Sequence, residues 1–200
     1  MGIELILILV TSALFFGGII YGARHLMLNV VNPNGKGAHK KTAAILNQYA
    51  LIRGFKVLSG ISLSVKGKTY MIENMLVGFF GILIVTTLGG RGEYYGQLDG
   101  KEWQRVLGDN RNSFPNPVKE QDGAMAALRG ILSDKKLYNI PMEGEVYLTS
   151  KSKKTALYIT NNGKILLPGT LAPYLRKTKF DKDTGLDVAK VVETIKENCI

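Results

Sequence analysis

Cysteine, histidine and tryptophan are almost missing from this chain of 200 residues, which has Cys199, His25, His39 and Trp103 and no others. A single cysteine cannot close an internal disulfide, so a disulfide-stapled scaffold is excluded and a reducing cytosol suits the chain. Two histidines and one cysteine leave no Cys/His spacing for a structural zinc. Only Ile200 follows Cys199, so a four-residue prenylation box is absent as well. Acids are the scarcer charge: 16 Asp and Glu face 26 Lys and Arg, for a formal net charge of +10. A basic surface favours polyanions, either nucleic-acid phosphate or the anionic inner leaflet of a membrane, although charge alone also serves plain solubility. With 46% hydrophobic residues, the chain suffices for one globular domain and an accessory segment.

Charge is absent altogether from residues 5–23, and every Lys and Arg lies beyond them. At about 1.5 Å rise per residue, a helix of that length nearly crosses a hydrocarbon core of about 30 Å. No basic residue precedes the apolar run and Arg24 follows it directly, which argues against a cleaved signal peptide. Ile6 occupies the place where N-myristoylation needs Ser or Thr. The short N-terminal tail carries Glu4, whereas Arg24, Lys36, Lys40 and Lys41 flank the other end, so the basic side is expected in the cytoplasm and the N-terminus outside. The expected organisation is a single-pass membrane anchor at 1–26, a juxtamembrane linker with Asn-Pro and Asn-Gly dipeptides at 27–36, and a domain at 37–200.

Within that domain, Thr42, Ile45, Leu46, Tyr49 and Ile52 recur at steps of three and four and predict an amphipathic helix over 38–52. Strands are expected at 55–65, 69–77 and 82–88, the last buried on both faces. Residues 75–90 are also uncharged, so a second membrane helix with a small basic tail domain is the competing reading there. Residues 91–114 suggest a strand or two and a long loop. Asn116 and Pro117 predict a helix start, through a side-chain cap and a proline at the first helical position. Further strands are expected at 144–149, 155–160 and 164–167, the last two joined as a hairpin by Asn161-Asn162-Gly163. A closing helix from near Asp183 should bury Leu186, Ala189, Val192 and Ile195.

The run IENMLVGFFGILIVTTLG at residues 72–89 resembles the centre of the NERD (nuclease-related) domain, whose pattern is roughly I-D-H-x-V-V-G-P-x-G-V-F-V-I-E-T-K-N. Without a gap, Gly78 and Gly81 fall on the family's glycines and Phe79 on its Pro. Glu73 falls on its Asp and Asn74 on its His, while Thr86, Leu88 and Gly89 fall on its Glu, Lys and Asn. Upstream, GKGAHKKTAAIL is similar to the family's G-x-x-G-E helix with His39 on the Glu. Downstream, NPVKEQDGAMAALRGIL is similar to its N-P-x-x-Q-x-x-x-H helix, with Glu120 on the Gln and Ala124 on the His; in all, the likeness covers residues 35–132. The resemblance implies an α/β fold of restriction-endonuclease type, a mixed sheet flanked by helices, following the transmembrane helix.

The resemblance also implies where a metal-dependent nuclease site would lie, and charge is missing from it. Metal-assisted phosphodiester cleavage needs carboxylates for Mg²⁺ and a cation for the developing charge, yet Thr86 and Leu88, which share a strand face, cannot ionise. Glu73, Thr86, Leu88, His39 and Glu120 are therefore read as vestigial positions, with Glu73 the one candidate metal ligand and His39 a surface residue rather than a base. No cofactor is expected unless activity survives, in which case Mg²⁺ is, with Glu93, Asp99 or Glu102 as relocated acids and Lys40 or Lys41 as a migrated cation. The expected function is a membrane-anchored, catalytically degenerate nuclease relative. Its partner would be nucleic acid, anionic lipid or a protein at the cytoplasmic face, met through Lys40, Lys41, Lys151, Lys153, Lys154, Arg176, Lys177 and Lys179.

Overall fold

Ile82, Leu83, Ile84 and Val85 have almost no solvent exposure, and the surrounding elements are arranged to cover both of their faces. In the computed structural model, which describes residues 11–12, 14–21, 37–160 and 163–200, these four belong to β3 (Gly81–Leu88). β3 lies in the middle of a mixed sheet ordered β1 (Lys56–Val65), β2 (Lys68–Gly78), β3, β7 (Met142–Leu148), β9 (Ile165–Leu166). The β1–β2–β3 part is antiparallel, whereas β7 runs parallel to β3 and β9 parallel to β7.

Side chains alternate across a strand, so Ile82 and Ile84 face one layer and Leu83 and Val85 the other. The first layer is α2 (Pro117–Asp134) with α4 (Val188–Glu197), packing Met125, Leu128, Val191 and Ile195 against the sheet. The second is α1 (Ala38–Leu51), α3 (Leu171–Tyr174) and a 3-10 turn at Thr178–Asp181, contributing Leu46, Tyr49, Leu175 and Phe180. Full burial of each such side chain is worth about 1.5–3 kcal/mol.

The two-residue turn joining β2 to β3 is unusually apolar, because Phe79 and Phe80 pack on Phe55 at ring separations of 4.7 and 5.5 Å. Thr184 fastens the same turn from the C-terminal segment, donating from its backbone N–H and its hydroxyl to the Phe79 carbonyl at 2.9 and 2.6 Å.

A second sheet, ordered β6 (Asn110–Pro115), β5 (Glu102–Leu107), β4 (Gly92–Gln97), β8 (Thr155–Thr160), packs on the first through Leu88, Tyr94, Trp103, Val118 and Val146. Asn116 joins the sheet to α2. Its Nδ2 donates to the carbonyls of Gln97, Leu98 and Gly100 at 3.1, 2.9 and 2.7 Å, and its Oδ1 caps the helix by accepting from Val118 N–H at 2.9 Å. Pro117 occupies the first helical position, as its missing N–H allows.

The chain is thus mixed α/β with helix-flanked sheets, but it has two sheets where one was expected. Residues 91–114 form a three-stranded meander, where a strand or two and a long loop were expected. The predicted hairpin of 155–160 with 164–167 does not form: β8 pairs in parallel with β4 and β9 with β7, so long-range partners outweigh a local turn signal. The Asn161-Asn162 part of that turn lies outside the described residues. Residues 75–90 are strand and turn, which replaces the reading of them as a second membrane helix. Ile52 is exposed just past the end of α1. The last helix starts at Val188, not near Asp183, because Asp183 turns back to accept from Gly185 N–H at 2.8 Å and Asp187 supplies the cap. Ala189 consequently faces solvent and Val191 is buried instead.

The expected anchor at 5–23 lies partly, and the linker at 27–36 wholly, outside the described residues. Residues 11–12 and 14–21 are helical, with Leu14, Phe15, Phe16, Ile19, Ile20 and Tyr21 exposed. Among the described residues, no helix is long and apolar enough to cross a membrane.

Candidate functional site

The β2–β3 ladder closes from Gly78↔Gly81 to Asn74↔Val85 and then stops. Where it stops, Glu73 lends its side chain to β3: Oε2 accepts the Thr87 backbone N–H at 2.7 Å. On the other side of β2 the ladder pairs Ser59 with Asn74 and Ile61 with Ile72, skipping the step between Gly60 and Glu73. Asn74 is fully buried, with Oδ1 accepting from the Ser59 hydroxyl at 2.9 Å and Nδ2 reaching the His39 carbonyl at 3.4 Å. Only the backbone of His39 takes part; its position on α1 is exposed.

Thr86 and Leu88 point toward the α2 layer and both are engaged there. The Thr86 hydroxyl accepts from Gln121 Nε2 at 2.9 Å, and the same amide donates to the Glu145 carbonyl at 2.8 Å. Leu88 sits in the apolar cluster with Trp103, Val118 and Leu148. Thr87 points the other way, to the Thr42 hydroxyl of α1 at 3.0 Å.

Gln121 was missed in the sequence, where gapless matching put Glu120 on the family's glutamine. Glu120 is exposed and makes no part of the site, whereas Gln121 is buried. The helical stripe of Val118, Gln121, Met125 and Leu128 held the signal, since a residue three along from Val118 shares its face.

The donors gathered here do not fit a divalent cation. Glu73 brings a single carboxylate whose Oε2 already accepts a backbone amide, the Thr86 hydroxyl accepts from an amide side chain, and Leu88 offers no donor. Glu145 pairs with Val85 across β3 and β7. Its Oε1 accepts from the Tyr174 hydroxyl at 2.6 Å, and burial pushes the carboxyl above the ordinary range and so toward the neutral form. Glu93 and Glu102 belong to the second sheet, and Asp99 to its β4–β5 connection. Among the described residues, no three His, Cys, Asp or Glu side chains converge as metal ligands.

The candidate cations separate into two groups. Lys40 and Lys41 lie in the first turn of α1 beside Thr42, and Lys151, Lys153 and Lys154 lie on the loop leaving β7. That loop begins at Thr149, whose N–H donates to the Leu88 carbonyl at 2.9 Å, so these five lysines border the strand ends carrying Thr87 and Leu88. Arg176, Lys177 and Lys179 gather toward the opposite end of the sheet. Lys179 is bound to Glu143 at 2.6 Å and to the Tyr174 hydroxyl at 2.8 Å, and Lys177 lies over the Tyr174 ring.

Replacing Glu73 with alanine is expected to strand the Thr87 N–H and to lower stability by about 1–3 kcal/mol, measured by denaturant unfolding. An unchanged midpoint would mean that the carboxylate stands free.

The family profile described as NERD, nuclease-related domain, matches residues 34–149, more than half of the chain and the stretch that supplies β1 to β7, α1 and α2. Neither a curated protein nor a solved structure matches the chain.

Proposed function

Because this chain belongs to the nuclease-related domain family, we propose that it binds a phosphate polyanion without cleaving it, using a degenerate restriction-endonuclease-type domain tethered to the cytoplasmic face of a membrane. The observation that carries this reading is the Glu73 carboxylate closing on Thr87 N–H, next to an uncharged Thr86 and a Leu88 packed among apolar side chains. A phosphodiester at the strand ends would meet no metal ligand set and no ammonium from β3.

Binding has a different requirement, which is cations without specific geometry, and Lys40, Lys41, Lys151, Lys153 and Lys154 border the same strand ends. This arrangement favours nucleic acid as the partner. Tethering through residues 5–23 is supported by their lack of charge and by the exposure of large apolar side chains on the helical residues 14–21. A helix apolar all round needs either a protein core or lipid around it.

The test is to incubate the full chain in detergent with single- and double-stranded DNA and RNA, with Mg²⁺ or Mn²⁺ present. Binding should weaken steeply with salt, by roughly 0.9 log units per log salt for each duplex phosphate neutralised, and the strands should remain intact. Metal-dependent cleavage that disappears in Glu73→Ala would restore a working nuclease. Salt-independent binding would point to a protein partner, and salt-sensitive binding only to vesicles with anionic headgroups would move the polyanion to lipid.

A further inference from the structure

α1 ends on two neighbouring aliphatic side chains that lie in the open: Leu51 is 85% exposed and Ile52 77%. The other exposed aliphatic side chains of the domain, Met71, Leu167 and Ile200, stand singly along the chain, as is ordinary for a protein surface. Ile52 also lines an open groove between α1 and α3, together with Ile45, Tyr49 and Leu175 and with Arg53 and Arg176. Cations collect around this apolar point. Arg53 follows Ile52 directly, Lys56 opens β1 three residues later, and Lys177 follows Arg176. Lys56, Arg176 and Lys177 are exposed. Asp181 answers Arg53 at 3.6 Å, so the group keeps a positive balance.

Aliphatic side chains ringed by Lys and Arg match the boundary of an anionic bilayer, where apolar groups enter the lipid and cations stay at the phosphates. The same pair gives little to nucleic acid, whose bases stack on aromatic rings. A second copy brought face to face would set like charges against each other. The tether proposed above also keeps a bilayer at high effective concentration beside the domain.

We propose that the C-terminal end of α1 docks on the anionic inner leaflet, with Leu51 and Ile52 entering the headgroup–acyl boundary and Arg53, Lys56, Arg176 and Lys177 set against lipid phosphates. The proposal rests on the tethered reading and adds how the domain stands on the membrane. Lys40 and Lys41 lie in the first turn of the same helix, which at about 1.5 Å per residue holds them roughly 15 Å or more from the docked end. The strand ends they border therefore stay open to a nucleic acid in the cytoplasm. Residues 24–37 join the uncharged run to α1, and a segment of that length extends to about 45–50 Å, which permits this stance.

The test is fluorescence of full-chain Leu51→Trp reconstituted into phosphatidylcholine vesicles with or without phosphatidylserine, the acyl chains brominated near the headgroup. Leu51 is exposed, so the substitution leaves the core alone, and the natural Trp103, 1% exposed, supplies a shielded background. With phosphatidylserine present, bromine should quench the added indole by roughly twofold or more, and high salt should relieve the quenching. Arg176→Gln and Lys177→Gln, both at exposed positions, should each lower the ratio of docked to undocked domain by roughly fivefold. Emission indifferent to brominated lipid, or quenching of the same size without phosphatidylserine, overturns the proposal. Unquenched emission that shifts with protein concentration gives the patch to a second copy and overturns it too. Retention of the chain on the vesicles through an alkaline carbonate wash reads the tether separately. A chain retained but unquenched leaves the tether standing and removes only the docking, whereas a chain washed off yet quenched before the wash keeps the docking and removes the tether.

Discussion

Leu88→Lys is expected to cost about 3–5 kcal/mol of stability, on the order of 10 °C in the unfolding midpoint, although it sets a lysine where the family pattern has one. Leu88 is buried against Trp103, Val118, Val146 and Leu148. An ammonium placed there loses its hydration, and the isobutyl packing it replaces is lost as well. Thermal unfolding of the variant beside the parent chain measures this. A midpoint within about 2 °C of the parent would show the lysine stem running out to the surface, with its charge in solvent.

Gly81→Ala is the second large effect, with an expected loss of about 3 kcal/mol or more by denaturant unfolding. Its φ of +124° is open to glycine and strained for any L side chain, and a Cβ built there would stand 2.3 Å from the Pro141 carbonyl oxygen. That carbonyl cannot readily withdraw, because it accepts the Ile82 N–H at 2.9 Å and so starts the association of β3 with β7. Gly78→Ala should cost less, about 1–3 kcal/mol, since its Cβ meets the rings of Phe80 and Phe55 at 2.7 and 2.9 Å and rings can shift where a carbonyl cannot. If Gly81→Ala lost under 1 kcal/mol, the hairpin would have another way to close.

These two glycines show what was legible in the sequence. Both family positions were visible as letters, and so was the unbroken apolar run from Ile82 to Val85 that demands cover on two faces. The Asn116-Pro117 helix start was equally plain, because capping is chemistry between near neighbours. The second sheet was not legible. GEYYGQ, EWQRVL and NRNSFP are polar and half exposed, with little alternation to mark them, and the partner that completes their sheet, β8, arrives some forty residues after β6. Asn161-Asn162-Gly163 misled for the same reason: a turn signal reports on four residues and says nothing of which sheet each strand will join. At the site, the lack of an ionisable group at Thr86 and Leu88 was readable from residue type alone. The capture of Glu73 by a backbone amide and the reach of Gln121 both depend on distances between segments separated in the chain.

Residues after 149 also have a consequence for how the protein can be cut. Tyr174, Leu175 and Phe180 cap one apolar face of the first sheet, Val191, Val192 and Ile195 cap the other, and Ile200 N–H ends the chain on the Ser62 carbonyl at 3.0 Å. A fragment trimmed to the family match at 34–149 would therefore bare greasy surface on both sides of β3, and it is expected to clump instead of folding.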